Sequence, residues 1–258
     1  MTTDNIPAKT DIKNADNSKE LVVHNVVHCQ QRFNWDCGVT CVMMLLSEQQ
    51  RNYFLQNFTA ICREEGFNQS TWTIDLCYLL KRFGIKHTMY TTMPGVNEDY
   101  KKLAYYSRIL DLDRSRVVRK FAEAARYGVE VRRGVVSGAE VARHVRRRGP
   151  ALLLVDAARL HCRWCRPQTL SLQLKHWLGM RDGYRGHYVL VVGASGDILI
   201  YRDPALPARL CAARADRMGT HPGTDRDAVL LHPPYAALTT DTTMTSIFWN
   251  KHPGMQYT

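Results

Sequence analysis

Two residues near the start of this chain, a cysteine and a glutamine, have the types and spacing of a hydrolase nucleophile and its oxyanion donor. Cys37 follows Asp36, a good N-cap residue, and opens an apolar run that predicts a helix. In the first turn of a helix, the dipole and unpaired backbone N–H groups favour the nucleophilic thiolate. Gln31 lies six residues upstream, where its amide could complete an oxyanion hole with the Cys37 N–H.

A histidine and an aspartate later in the chain complete the set. His187 opens one predicted strand, 186–192, and Asp203 follows the next, 197–201. Alanine, serine and glycine at 194–196 predict a hairpin turn, and antiparallel pairing would put both residues at one end of the sheet. His187 would then deprotonate the thiol, while Asp203 would orient the imidazole.

Each of these residues also has an ordinary structural explanation. A cysteine in an apolar helix is most often a buried structural residue. His187 could be a buried histidine with satisfied hydrogen bonds, and Asp203 a turn residue before proline. The distances among the side chains decide between these interpretations. The predicted substrate-binding residues flank the chemical groups in sequence: Trp35, Gly38 and Gly186.

A single C-x-x-C motif, Cys162 to Cys165, raises the question of a metal. Structural zinc normally takes four protein ligands. Only His161, His176 and a more distant residue could complete this pair, and a thioredoxin-like redox context is missing. No metal site and no cofactor is predicted, and whether His161, Cys162 and Cys165 bind zinc stays open.

Periodicity and turn signals predict a mixed chain of helices followed by antiparallel strands, and hence an α+β fold. Helices are predicted at 37–46, 53–65, 70–83, 113–127, 137–148 and 206–218, and strands at 21–27, 85–91, 129–136, 151–155, 186–192, 197–201 and 228–231. A single domain should span 20–235, with an irregular insertion at 157–185. Residues 1–19 are predicted to form a disordered tail and 236–258 a weakly ordered one.

Composition and charge narrow the class of protein. No apolar run approaches the length of a membrane span, and the eight scattered cysteines suit a reducing compartment. We therefore expect a soluble protein of the cytoplasm, with the nucleus as the alternative. The net charge is +11, and 101–150 holds fourteen basic against five acidic residues. Helical spacing there favours a solvated face over a nucleic-acid site, and leaves an acidic partner as an option.

Several short motifs together resemble a known family. They are Gln31 with Trp35-Asp36-Cys37-Gly38, Ser70-Thr71-Trp72-Thr73-Ile74-Asp75-Leu76, Phe83-Gly84, His161-Cys162, Gly186-His187-Tyr188, Asp203-Pro204-Ala205 and Gly223-Thr224-Asp225-Arg226-Asp227. Over about 27–232 this pattern resembles the guanylyl cyclase domain-containing protein 1 family. Plant members are labelled guanylyl cyclase, so the resemblance implies formation of cyclic GMP from GTP as one activity.

The glutamine, Cys-Gly, histidine and Asp-Pro elements are also similar to the bacteriocin-processing cysteine peptidases. That resemblance implies a papain-like cysteine proteinase fold. It also implies Gln31 as oxyanion donor, Cys37 as nucleophile, His187 as base and Asp203 as orienting residue. The expected function is a papain-like cysteine hydrolase that acts on a peptide, isopeptide or related amide bond in a peptide or protein substrate.

Two alternatives remain open at this stage. A guanylyl cyclase needs metal-bound carboxylates and a cradle for the triphosphate. The sequence has no glycine-rich phosphate loop, and its one paired acidic candidate, Asp111 with Asp113, is expected at a helix N-terminus instead. A binding protein without catalytic activity on the same fold is the second alternative, since fold does not determine function.

Overall fold

The computed structural model describes residues 21–67, 70–96, 104–165, 185–218 and 226–233, which contain six helices and eight strands. The helices are α1 Cys37–Met43, α2 Glu48–Gln56, α3 Phe58–Glu65, α4 Thr73–Arg82, α5 Ala104–Glu123 and α6 Gly138–Arg147. The strands are β1 Val22–Val23, β2 His87–Thr91, β3 Glu130–Arg133, β4 Ala151–Asp156, β5 Gly186–Ser195, β6 Ile198–Arg202, β7 Cys211–Arg214 and β8 Ala228–Leu231. Both predicted tails, and 166–184 of the predicted insertion, lie outside the described residues.

All eight strands form one sheet, and the predicted α+β class is confirmed. The strand order is β3-β2-β8-β4-β5-β6-β7, with β1 paired to β5. Every pairing is antiparallel except that of β2 with β3. The continuous apolar run of β4 lies between β8 and β5, as expected of a central strand.

Both faces of the sheet are buried. Alternate residues of β5 point to opposite faces, and the residues on each face belong to a different hydrophobic core. Leu190 and Val192 belong to the core that contains α1, whereas Val189 and Val191 belong to the core that contains α6. All seven residues of α1 are buried, which is typical of a helix enclosed by other elements. This helix packs on β5 and on α4, so Cys37 is brought to the strand that carries His187.

The predicted hairpin is present as β5 and β6. Its turn is formed by Gly196 and Asp197, slightly later than expected, and Gly196 has the left-handed φ of +56° that glycine tolerates best. The predicted S-x-x-E capping box is also present: the Ser137 side chain accepts from the Glu140 N–H, and the Glu140 carboxylate accepts from the Ser137 N–H.

The helix predicted at 206–218 is wrong. Residues of this stretch instead form β7, followed by one 3-10 turn at Ala215–Arg217. The stretch does not form a helix because β7 pairs with the free edge of β6, where Tyr201 lies opposite Cys211. Pairing with a sheet edge supplies hydrogen bonds that local propensity does not anticipate.

Three other predicted boundaries moved. The strand expected at 21–27 contains only Val22–Val23 in the sheet, and the helix expected at 53–65 is divided into α2 and α3. The helix expected from Asp113 begins already at Ala104 and ends at Glu123. Asp111 and Asp113 are therefore inside α5, and the prediction that they mark its N-terminus is wrong.

The basic segment is only partly a solvated face. Arg119 and Arg143 are exposed, as predicted, but Arg116 and Lys120 are buried. Lys120 Nζ lies 3.0 Å from Asp75 Oδ1 and 3.3 Å from Glu65 Oε2, so part of the positive charge pairs α5 with α3 and α4. Among the helices described above, none is long and apolar enough to cross a membrane.

Candidate active site

Cys37 is the first residue of α1, as the sequence predicts. Its side chain is buried but retains 7% exposure, whereas Cys41, one turn further along, has none. The Cys41 thiol donates to the backbone carbonyl of Tyr188 at 3.6 Å, and burial raises its pKa well above the ordinary value. The two cysteines of this helix therefore differ in access and in chemical environment.

Asp36 occupies the N-cap position of α1, but the expected capping contact is absent. Its carboxylate makes no hydrogen bond to the helix and accepts instead from the backbone N–H groups of Arg32, at 3.2 Å, and Phe33, at 3.0 Å. Burial raises the pKa of Asp36 to about 7, against the opposing effect of these hydrogen bonds. Asp36 therefore stabilises the loop that follows Gln31 and does not cap α1 with its side chain.

His187 and Asp203 are brought together as the hairpin predicts. The imidazole Nε2 lies 2.8 Å from Asp203 Oδ1, and both side chains are buried. The same Asp203 oxygen accepts from the Ala205 N–H at 2.9 Å, which helps fix the carboxylate. With Nε2 engaged, Nδ1 is the ring nitrogen left for another partner.

Cys37 is among the groups that act on the pKa of His187. Burial alone would lower the pKa, but the Asp203 carboxylate raises it by charge and by hydrogen bonding, followed by a hydrogen bond and charge interaction with Cys37. The balance raises the pKa of His187 to about 10. An imidazolium between a carboxylate and a thiol is the charge arrangement that stabilises a thiolate nucleophile.

Gln31 is held on the same side of the molecule by the segment that follows Asp203. Its backbone N–H donates to the carbonyl of Pro204 at 2.8 Å. One N–H of its side-chain amide donates to the Phe33 carbonyl at 2.8 Å, which leaves a second N–H on the same nitrogen. The Gln31 side chain is 7% exposed, comparable to Cys37.

The three predicted substrate-binding residues have different surroundings. Trp35 is half-buried and stacks on Phe33, with ring centroids 5.7 Å apart. Gly186 is half-buried at the start of β5. Gly38 is buried, and a Cβ there would lie 2.5 Å from Leu76 Cδ1, so a larger residue would force the Leu76 side chain to shift. Substrate binding by Trp35, Gly38 and Gly186 stays a prediction.

A second cluster of thiols was only half visible in the sequence. Cys162 and Cys165 of the C-x-x-C motif lie with Cys211, the first residue of β7. Their sulfur atoms are all within 4.8 Å of one another, and His161 is not part of the group. No sequence signal linked Cys211 to the motif, because the segment that contains it was predicted to be helical.

Similarity to known proteins identifies the family of this chain. The sequence profile of the family described as guanylylate cyclase matches residues 26–231. The chain belongs to this family. Guanylyl cyclase 1 of Arabidopsis thaliana is 30% identical over 223 residues, which cover 81% of this chain and 76% of the plant protein.

All four residues of the predicted site lie inside the stretch that the guanylylate cyclase family profile matches. Gln31 is near the start of this stretch, and His187 and Asp203 are in its last quarter. The two parts come close in space because β5 packs on α1. The resemblance expected from the sequence motifs is thereby confirmed at the level of the family.

Proposed function

We propose that this chain is a cysteine hydrolase that cleaves a peptide, isopeptide or related amide bond, with a site of papain-like type. The supporting observation is the arrangement of Asp203, His187 and Cys37. Asp203 Oδ1 lies 2.8 Å from His187 Nε2, and Cys37 also contributes to the raised pKa of His187. A buried histidine could be satisfied by many partners. A carboxylate on one ring nitrogen and a thiol on the other is the arrangement that cysteine hydrolases use to activate their nucleophile.

The proposed reaction proceeds through a thioester. The Cys37 thiolate attacks the carbonyl carbon of the substrate, and the protonated His187 donates its proton to the departing amine as the C–N bond breaks. Neutral His187 then takes a proton from water, whose oxygen attacks the thioester and releases the acid and the Cys37 thiolate, so that the thiolate and the protonated His187 are restored. Asp203 stays ionised and keeps the imidazole in position throughout.

Gln31 is proposed to stabilise the oxyanion of each tetrahedral intermediate. The helix N-terminus places the backbone N–H of Cys37 without an intrahelical acceptor, and the free side-chain N–H of Gln31 is the second donor. Asp36 supports this role indirectly, since it holds the backbone of Arg32 and Phe33 beside the Gln31 side chain.

The family name supports a second candidate, conversion of GTP to cyclic GMP. A cavity of about 350 Å³ lined in part by Arg143, Arg147 and Arg148 offers positive charge for an anion. The cyclase candidate also requires carboxylates that bind a metal ion, and the described residues provide little support for them. Asp113 is engaged by Arg116 at 2.9 Å and by Trp72 at 2.9 Å, and within the described ranges the sole metal-ligating group of three or more residues is made of thiols.

The hydrolase proposal is tested by exposing the purified chain to a proteome-derived peptide library and to isopeptide-linked peptides, with new termini read by mass spectrometry. We expect cleavage that falls by about 10⁴-fold or more in Cys37→Ala. Cys41→Ala, on the same helix, serves as the matched control and should retain cleavage. Turnover that survives in Cys37→Ala would overturn the proposal. Absence of cleavage together with an unreactive Cys37 would favour a binding protein.

A further inference from the structure

Three cysteines from separate parts of the chain meet at the open edge of the sheet. Cys162 and Cys165 lie in the loop after β4, and Cys211 opens β7, the last strand in the sheet order. All three are free thiols. Their sulfur atoms lie within 4.8 Å of one another, and those of Cys165 and Cys211 are 3.7 Å apart.

We propose that Cys162, Cys165 and Cys211 bind a zinc ion through three thiolates. Zinc–sulfur bonds of about 2.3 Å in tetrahedral geometry place two sulfur ligands about 3.8 Å apart. The Cys165–Cys211 separation of 3.7 Å already matches this spacing. Three soft ligands in a C-x-x-C plus one arrangement select zinc over magnesium or calcium, which require oxygen ligands.

Hydrogen bonds from the backbone prepare one of the sulfurs as a ligand. Cys162 Sγ accepts from the N–H of Trp164 at 3.4 Å and from the N–H of Ala212 at 3.5 Å. Donors to a ligand atom are the usual outer support of a metal site.

The hydroxyl of Tyr201 is an independent observation that points to the same place. Tyr201 is fully buried, pairs directly with Cys211 across β6 and β7, and finds no hydrogen-bond partner among the described residues. Tyr201 and Cys211 belong to the same buried cluster, and Cys162 and Cys165 pack against it. An unpaired buried hydroxyl is costly. A thiolate that stays charged because it binds zinc would accept its hydrogen bond.

Three thiolates are the largest sulfur set that the chain can provide here. The other five cysteines, at 29, 37, 41, 62 and 77, are not part of the cluster. His161, the fourth ligand considered from the sequence, is exposed, and its Nδ1 lies 2.7 Å from the Arg159 carbonyl oxygen. Within the described residues nothing else joins the three sulfurs, so the expected coordination is three sulfurs and one light atom that those residues do not supply.

Zinc at this position would tie the 160–165 loop to the sheet edge. The loop already runs along β7, where the Arg163 N–H donates to the Ala212 carbonyl at 2.7 Å. β7 pairs with β6, which ends one residue before Asp203. The metal would hold the edge that precedes Asp203, and this role does not depend on the proposed hydrolase activity.

The test is the metal content of the full chain, purified with a phosphine reductant and without chelator, measured by inductively coupled plasma mass spectrometry. We expect one zinc per chain. Cys162→Ser, Cys165→Ser and Cys211→Ser should each lose most of it. Cys62→Ser, a buried cysteine on α3, is the matched control and should keep it. Tyr201→Phe should bind zinc but release it to a competing chelator roughly tenfold more readily.

A second measurement covers the case in which the serine variants fail to fold. The wild-type chain, stripped of metal and kept reduced, is titrated with Co²⁺, and we expect the thiolate-to-cobalt charge-transfer absorption in the near ultraviolet. X-ray absorption of the zinc form should show three sulfur neighbours. Far less than one zinc per chain with no such cobalt absorption, retention of zinc by Cys211→Ser, or a disulfide within the cluster in freshly isolated protein would overturn the proposal.

Discussion

His187 Nε2 and Asp203 Oδ1 lie 2.8 Å apart across the open end of a single hairpin. The turn of that hairpin, at Gly196, lies at its other end, so the fifteen residues between His187 and Asp203 return the chain to the same end of the sheet. Both side chains are buried, and the pair therefore interacts in a medium where charge is poorly screened. We expect this pair to affect the reactivity of the Cys37 thiol.

We predict that limiting iodoacetamide at about pH 6 alkylates Cys37 well before Cys41. Cys37 keeps some exposure and adjoins His187, whereas Cys41 is fully buried and its pKa is raised by burial. His187→Ala should slow labelling of Cys37 by about tenfold or more, because the imidazolium that stabilises the thiolate is lost. Site-resolved mass spectrometry against time measures these rates.

Cys162 is the thiol that could compete in this experiment, since it is half-buried and its pKa is lowered. If zinc occupies the thiol cluster, Cys162 should be protected until a chelator is added, which makes the chelated sample the control. Equal labelling of Cys37 and Cys41, or indifference to His187→Ala, would show that Cys37 is an ordinary helix cysteine.

The raised pKa of His187 also predicts how stability depends on pH. A group whose pKa rises from 6.5 to about 10 on folding stabilises the fold fully below pH 6.5, and this contribution disappears as pH rises towards 10. Chemical unfolding in a Cys37→Ala background, which removes the thiol titration, should therefore show that Asp203→Asn is most destabilising near pH 6. Its effect on the free energy of unfolding should shrink steadily up to pH 10. A difference independent of pH would contradict the raised pKa.

Gln31→Ala should separate turnover from thiol reactivity. Alkylation by iodoacetamide develops no oxyanion, so the rate of Cys37 labelling should change little. Substrate turnover should fall by about 10²-fold to 10³-fold, the usual effect of removing one oxyanion donor. Comparing labelling and kcat in the same preparation makes labelling the internal control for folding. A parallel loss of both would assign Gln31 a structural role, since its side-chain amide already donates to the Phe33 carbonyl.

Lys120→Met should destabilise the fold by about 3 kcal/mol, because it leaves the buried carboxylate of Asp75 short of a partner. Asp75 would keep Arg116, at 3.4 Å, and the hydrogen bond from the Trp72 N–H, at 3.0 Å. Arg119→Met, on the exposed side of the same helix, is the matched control and should change stability by less than about 0.5 kcal/mol. Urea unfolding followed by circular dichroism measures both. Similar effects of the two substitutions would mean that the buried ion pairs contribute little.

Purified chain supplied with GTP and Mg²⁺ or Mn²⁺ should form no cyclic GMP above background. The described residues bring no pair of free carboxylates to the arginine-lined cavity that a triphosphate would enter. Mass spectrometric detection of cyclic GMP decides the matter, with heat-inactivated protein as the blank. Robust turnover that Asp111→Asn and Asp113→Asn abolish, and that Cys37→Ala leaves intact, would instead support the cyclase and count against the hydrolase.

The sequence by itself determined the features that depend on neighbouring residues. A cysteine at the start of an apolar helix, a central apolar strand at Ala151–Asp156 and a hairpin turn at Gly196 are all encoded within a few positions of one another. The approach of His187 to Asp203 followed from the same local information, because strand periodicity and one turn suffice to align the two ends of a hairpin. The family could be recognised from such motifs as well.

Only the tertiary structure decided the features in which distant segments compete for the same surface. Cys211–Arg214 became strand β7 because an unpaired edge of β6 was available, and this brought Cys211 to Cys165, 46 residues earlier. Lys120 turned inward from α5 to Asp75 on α4. In each case hydrogen bonding or charge pairing with a distant group outweighed a local preference of about 1 kcal/mol or less, which short-range patterns cannot reveal.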